Sequence, residues 1–217
     1  MCVRELQLAA VILLLGTLLA TAHEPKPTVH RGPPPREKLS ATFTGITDAD
    51  FAREKLSPRL RRLYLRDCKI GDATMARLPQ FQDLQFLAID GTAVTDEGLA
   101  HLQKLSRLRH LSLNRVSMTD EGARHLAELL ELRTLLLEET TLSDAGVAHL
   151  KGLKKLEWLS LRRTRITDAG LTNFTDLTEL KVLSVVETAV TENAILVLRK
   201  SLPRLRVRRE MPLPPPE

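Results

Sequence analysis

LQFLAIDGTAVTDEGLAHLQKLSR, residues 84–107, runs directly into LRHLSLNRVSMTDEGARHLAELLE, residues 108–131, and the two stretches share one construction. Each opens on L-x-x-L-x-[LIV], as Leu84-Leu87-Ile89 and then Leu108-Leu111-Leu113. The same opening occurs at Leu60-Leu63-Leu65, Leu132-Leu135-Leu137, Leu156-Leu159-Leu161 and Leu180-Leu183-Val185. The first leucines therefore fall at positions 60, 84, 108, 132, 156 and 180, a constant spacing of 24. The second half repeats as firmly. Val94-Thr95-Asp96-Glu97-Gly98-Leu99 recurs as Met118-Thr119-Asp120-Glu121-Gly122-Ala123, then at 142–147 and 166–171, with worn copies at Ile70-Gly71-Asp72 and Val190-Thr191-Glu192. A further start, Leu205-Arg206-Val207, is shifted by one position. A degenerate earlier unit is read at Leu39, one period before Leu63, and at Ile46, one period before Ile70. Self-similarity of this kind marks a stack of coils.

The repeat has a physical form. Alternation in L-x-L turns two apolar side chains inward and the residue between them outward, as a short strand requires. Strands of successive coils then pair in parallel about 4.8 Å apart. The Thr-Asp dipeptide is expected to cap a short helix, both side chains accepting from helix-start amides. Leu99, Leu102 and Leu105 follow at helical spacing and bring the chain back to the core. The recurring glycine implies tight backbone packing between coils. A single coil cannot bury its apolar face, so stability comes from neighbours and the ends need caps. Phe51, one period before Met75, is expected in a helix core position of an N-terminal cap. Arg199 to Arg209 reads as a polar C-terminal cap.

On these motifs the chain resembles leucine-rich-repeat proteins, specifically the short-unit subtype with a T-D-x-G-L turn found in exported bacterial repeat proteins and in ubiquitin-ligase substrate receptors. The resemblance runs over residues 39–209. It implies an α/β class fold, a right-handed leucine-rich-repeat solenoid with parallel strands on the concave face and short helices on the convex face. One position departs from the pattern. Where many such proteins carry Asn or Cys, this chain has Cys68, Thr92, Val116, Thr140, Thr164 and Thr188. Val116 cannot hydrogen-bond, so a side-chain ladder along that turn is expected to break there.

The ends of the chain have a different composition. Leu6 to Ala20 is an apolar run broken only by Gln7, Gly16 and Thr17, after a short start with Arg4, and Ala20-Thr21-Ala22 gives the small-x-small pattern of a cleavage site. Residues 1–22 therefore read as a signal peptide, which would become a membrane anchor if retained. Residues 23–38 read as a Pro-rich linker and residues 210–217 as a Pro-rich tail. Cleavage would remove Cys2 and leave Cys68 as the sole thiol, which excludes an internal disulfide. It would also remove Arg4 and Glu5 together, so the formal charge of +5 is unchanged. That mild excess, in an exported chain, does not argue for nucleic acid as a partner.

Outward strand positions form columns. One runs Arg62, Phe86, His110, Thr134, Trp158, Val182; the next Tyr64, Ala88, Ser112, Leu136, Ser160, Ser184. Then come Arg66, Asp90, Asn114, Glu138, Arg162, Val186, and finally Asp67, Gly91, Arg115, Glu139, Arg163, Glu187. Unlike the core positions these vary from coil to coil. Aromatic and arginine side chains dominate binding hot spots. The candidate ligand-binding set is therefore Tyr64, Phe86, His110, Arg115, Trp158, Arg162 and Arg163. The plainer reading is an ordinary exposed sheet with Arg115, Glu139 and Arg163 as a charge ladder.

Catalytic and metal chemistry find little support. His101, His125 and His149 stack at one helix position, but helices about 10 Å apart are too wide for a shared ion, and each precedes a core leucine and is expected to face solvent. An amino-terminal His23 could chelate copper only with a second fixed His, and His30 lies in a proline-rich stretch. No Ser-His-Asp grouping, paired-cysteine motif or phosphate loop is present. Asn173-Phe174-Thr175 matches a glycosylation sequon at a position expected to be exposed. The sequence thus points to a non-catalytic module without cofactor or metal. It is expected to be exported (periplasmic, cell-surface or secreted) and to bind a protein or cell-envelope polymer through its concave face. A structural or assembly role in the cell envelope is the alternative.

Overall fold

The computed structural model describes residues 39–209; the stretches read from sequence as signal peptide, linker and tail lie outside the described residues. Eight strands form one open sheet in chain order, every neighbouring pair parallel. They are β1 (Ser40–Thr44), β2 (Arg62–Arg66), β3 (Phe86–Ala88), β4 (His110–Ser112), β5 (Thr134–Leu136), β6 (Trp158–Ser160), β7 (Val182–Ser184) and β8 (Arg206–Arg208). Between them run α1 (Asp48–Arg53), α2 (Asp72–Met75), α3 (Asp96–Leu99), α4 (Asp120–Arg124), α5 (Asp144–Ala148), α6 (Asp168–Leu171) and α7 (Glu192–Ser201). Most inner helices are a single α turn continued as a 3-10 turn, such as Ala100–Lys104 and His149–Gly152. This is the leucine-rich-repeat solenoid that the motif implied.

The core is one column of aliphatic layers. Leu63, Leu87, Leu111, Leu135, Leu159 and Leu183 occupy the same strand position in successive coils and are all buried, as are Leu99, Val147 and Leu171 from the helices. From β2 to β8 the register keeps the period of the repeat, ending on Leu183 against Val207. The shifted leucine start at 205 has a local cause. The longer α7 delays the turn in which the Leu205 N–H donates to the Leu202 carbonyl (3.0 Å) by one position relative to Leu180 and Leu177, and β8 then begins at once.

The first coil departs from the expected spacing. Leu63 pairs with Ala41, not Leu39, so the strand offset falls two positions short of the period. Leu39 instead gives its carbonyl to the amides of Arg61 and Arg62 (2.9 and 3.0 Å). The helix keeps the full period, Asp48 preceding Asp72 and Phe51 preceding Met75, with Phe51 and Met75 both buried. The difference lies in the turn after β1, which is shorter than its successor and where Gly45 takes φ 68°.

The Thr-Asp signal separates into two roles. The hydroxyl caps its own helix in most coils: Thr119 accepts from the Glu121 amide at 3.2 Å and Ser143 from the Ala145 amide at 3.3 Å, whereas Thr95 makes no such bond. The aspartate does not cap its own helix; it reaches forward into the next coil. Asp72 accepts from the Thr95 amide (2.9 Å) and hydroxyl (2.6 Å). Asp96 to Thr119, Asp120 to Ser143, Asp144 to Thr167 and Asp168 to Thr191 repeat the clasp. The recurring glycine makes room for it. A Cβ on Gly98, Gly122, Gly146 or Gly170 would overlap Oδ1 of the aspartate one coil back, at Asp72, Asp96, Asp120 and Asp144 respectively.

The turn position also differs from expectation. Thr92, Thr140, Thr164 and Thr188 donate to the carbonyl three positions earlier in their own coil, at 2.6–2.9 Å. The bonds are local, so Val116 interrupts no ladder and simply lacks one bond. Just before this turn the backbone enters the left-handed region at Asp67, Gly91, Arg115, Glu139, Arg163 and Glu187, with φ between 50° and 64°. Five of the six are not glycine, a conformation that disfavours a Cβ. An inter-coil bond holds it. Arg115 N–H donates to the Glu138 carbonyl and Glu139 N–H to the Arg162 carbonyl, both at 2.9 Å, which extends each ladder past its short strand.

Candidate binding face

The outward columns share a register but not an exposure. In the second column Ala88, Ser112, Ser160 and Ser184 are buried, and only Tyr64 and Leu136 are half-buried. These positions were expected to be outward and open. Their side chains are too short to pass the larger neighbours on either side. Beside them runs a closed polar ladder. Asp90, 6% exposed, accepts from the Ser112 hydroxyl and, at 3.0 Å, from the Asn114 amide. Asn114 Oδ1 accepts from the Glu138 amide (2.8 Å), and Glu138 accepts from the Ser160 hydroxyl (2.8 Å). Arg66 Nε lies 3.2 Å from Asp90. From Asp90 to Ser160 the middle of the face therefore bonds its polar groups to one another, while Arg162 Nε, in the same column, is buried without a hydrogen-bond partner among the described residues.

Aromatic groups gather in two places. Phe86 lies between Tyr64, ring centroids 4.8 Å apart, and His110, stacked at 5.5 Å. Arg66 sits over the far side of Tyr64, 5.5 Å from its centroid. Trp158, 41% exposed, is separated from His110 by Thr134. Its partner is Arg208 of β8, 5.7 Å from the ring centroid. Phe86 and Trp158 share a column but belong to different clusters.

The candidate guanidiniums are engaged with carboxylates of the protein itself. Arg163 meets Glu187 at 2.6 Å and Glu139 at 3.2 Å, and Arg162 meets Glu187 at 3.2 Å. The bond to Glu187 raises the pKa of Arg163, and the two arginines hold the Glu187 carboxyl below its ordinary range, Arg163 contributing most. Arg115 does not join the expected ladder with Glu139. It passes over Gly91 to Asp67, two coils back, at 2.8 Å. A side chain at 91 would stand in that path.

Other cations surround the aromatic cluster. His110 is held below its usual pKa, first by burial and then by repulsion from Arg109, Arg133 and Arg62, with Glu157 opposing. Glu157 is itself taken by Lys181 (2.5 Å) and Arg133 (2.6 Å), which lower its pKa. Arg62, Arg109, Arg206 and Arg208 are exposed and form no salt bridge among the described residues. Arg206 and Arg208 escape the sequence-based candidate set because the run from Arg199 reads as a cap. Column position is the signal that finds them, since 206 and 208 continue the columns that hold Val182 and Ser184.

The convex side carries little chemistry. Of the stacked histidines expected to face solvent, His149 is exposed but His101 and His125 are half-buried, and His125 Nδ1 lies 2.9 Å from Gln103 Nε2. Asn173 is half-buried rather than exposed, its amide donating to the Gly170 carbonyl at 3.1 Å. Cys68 is buried and donates weakly to the Phe43 carbonyl at 3.5 Å. Among the described residues no group of three metal-ligating side chains converges, and no helix is long and apolar enough to cross a membrane.

Fold and face together define a leucine-rich-repeat solenoid. The chain matches no protein-family model and no curated protein. Solved structures share the architecture. Internalin C2 from Listeria monocytogenes superposes with a TM-score of 0.65 at 20% identity, covering 82% of this chain and 75% of that one. A leucine-rich-repeat protein of Leptospira interrogans gives a TM-score of 0.54 at 20% identity over 69% of this chain and 37% of its own. Internalin F of Listeria monocytogenes gives 0.51 at 20% identity over 69% and 47%. The chain thus spans less than half of these last two structures.

Proposed function

We propose that this protein is a non-catalytic recognition module that binds another protein through its strand face. The observation that carries the reading is the contrast within that face. Its centre is a polar ladder from Asp90 to Ser160 bonded internally, while each flank offers aromatic side chains beside guanidiniums that form no salt bridge among the described residues. Exposed rings and arginines are the groups on which interface energy concentrates. The likeness to internalin structures supports a repeat scaffold of this kind, and the apolar run Leu6 to Ala20, followed by the Ala20-Thr21-Ala22 pattern, supports export before the repeat unit meets its partner.

The test is cross-linking of the purified protein to intact cells of its source, with mass-spectrometric identification of the adduct. Phe86→Ala with Trp158→Ala is expected to abolish a discrete adduct, and the convex pair Lys151→Ala with Arg124→Ala to leave it. Loss with the convex pair alone would move the site to the helices. Association only with bulk envelope material, indifferent to either pair, would favour the assembly role.

A further inference from the structure

The two flanks of the strand face have a defined separation and a shared charge. Phe86, His110, Thr134 and Trp158 stand in register on β3, β4, β5 and β6. Three strand spacings of about 4.8 Å put Phe86 and Trp158 roughly 14 Å apart, which an extended chain crosses in about four residues. Residues four apart in an extended chain point to the same side. The open cations lie at both flanks, Arg62 and Arg109 around His110, Arg206 and Arg208 around Trp158.

Resting on the strand-face reading above, we propose that the ligand is an extended acidic segment of a polypeptide laid across the strands. One apolar side chain seats against Phe86 and His110, and a second, four positions along, seats against Trp158. Its carboxylates meet Arg62 and Arg109 at one flank and Arg206 and Arg208 at the other.

Two observations favour a polypeptide over an anionic polysaccharide. A sugar ring needs an open aromatic face. Phe86 lies between Tyr64 and His110, Tyr64 between Phe86 and Arg66, and Arg208 stands over Trp158. Phe86 and Tyr64 therefore offer edges and Trp158 has one face taken by Arg208, an arrangement against which aliphatic or aromatic side chains pack. Sugar hydroxyls also need free polar partners. Between the seats Asp90, Ser112, Asn114, Glu138 and Ser160 are bonded to one another. Carboxylates on arginine are the charge-assisted contacts that the open guanidiniums suit.

The test uses a labelled peptide, acetyl-Glu-Trp-Glu-Glu-Glu-Trp-Glu-amide, titrated with the protein by fluorescence anisotropy. Saturable binding below about 1 mM is expected. Arg62→Gln with Arg109→Gln, Arg206→Gln with Arg208→Gln, and Trp158→Ala should each weaken it about tenfold. Circular dichroism confirms that each variant is folded. A peptide with one residue between its tryptophans should bind about tenfold more weakly, and a Lys-for-Glu peptide should not bind. Absence of binding, binding indifferent to all three variants, or equal binding of the short-spaced peptide overturns the proposal. Tighter binding of a polyuronate oligomer overturns it in favour of a polysaccharide. If the peptide fails while the cell-derived adduct is still lost with Phe86→Ala and Trp158→Ala, only the ligand chemistry falls. If that adduct is lost with the convex pair instead, the strand-face reading falls with it.

Discussion

The clasp between Asp72 and Thr95 and the glycine that accommodates it predict an energetic coupling between positions 72 and 98. Asp72→Ala removes two hydrogen bonds to a carboxylate, from an amide at 2.9 Å and a hydroxyl at 2.6 Å. Bonds to charged groups are worth about 1.5–3 kcal/mol each, and partial solvent access reduces them, so a total loss of about 1–3 kcal/mol is expected. Gly98→Ala places a methyl group where Asp72 Oδ1 sits, with Met75 Cγ at 3.1 Å. Overpacking of this kind costs about 1–3 kcal/mol. The gain of alanine over glycine in a helix, about 0.5–1 kcal/mol, only partly offsets it. Once Asp72 is alanine the obstacle is gone, Met75 is flexible, and the same substitution becomes neutral or stabilising. The interaction energy is therefore about 2 kcal/mol, read from urea denaturation of the wild type, both single variants and the double variant. Gly152→Ala is the control: no atom lies within 4 Å of its would-be Cβ, and the change should stay within about 0.5 kcal/mol. Additivity at positions 72 and 98 to within about 0.5 kcal/mol would refute the clasp as the reason for the glycine.

Further outcomes follow from the core, the turn and the titrating groups. Leu135→Ala, in a fully buried central layer, should cost about 2–5 kcal/mol by denaturant melt, while the exposed Lys151→Ala should stay within about 0.5 kcal/mol. Gly91→Ala should break the Arg115–Asp67 bridge, because its Cβ would lie 2.5 Å from Asp67 Oδ1; a high-resolution structure of the variant should show Arg115 displaced. Stability should fall as pH drops below 6.5, because the folded pKa of His110 lies beneath that value and the unfolded chain takes up the proton first. Urea midpoints across pH should show this step, and His110→Phe should remove it. A second loss should come below pH 4.5 as Glu157 and Glu187, both depressed in the folded state, give up their ion pairs; Glu187→Gln should shrink it.

How much of this is legible in the chain depends on the range of the interaction. The inward leucines are readable because a strand alternates with period two and the coil repeats at a fixed interval, so phase alone assigns Leu87, Leu111 and Leu135 to the core. The columns are readable for the same reason, and every register from β2 to β8 follows them. Phase also places the helix starts and buries Phe51.

Phase says nothing of the contacts between side chains of different coils. Asp96 reads as a helix cap because its sequence neighbours are a helix start, yet its carboxylate reaches the Thr119 amide one coil ahead. Arg162 and Arg163 read as available because they stand outward, yet Glu187, Glu139 and Glu138 lie within reach only once the coils are stacked. Trp158 and Phe86 share a column, but Thr134 divides them, and the guanidinium beside Trp158 belongs to Arg208, two coils further on. The direction in which each residue points thus follows from local backbone periodicity, which the order of amino acids sets without help. Which outward charges neutralise one another, and which stay free, emerges only when the coils stack. That outcome turns on separations of a few ångströms between side chains one or two coils apart, governed by the stacking distance and by the length of each side chain.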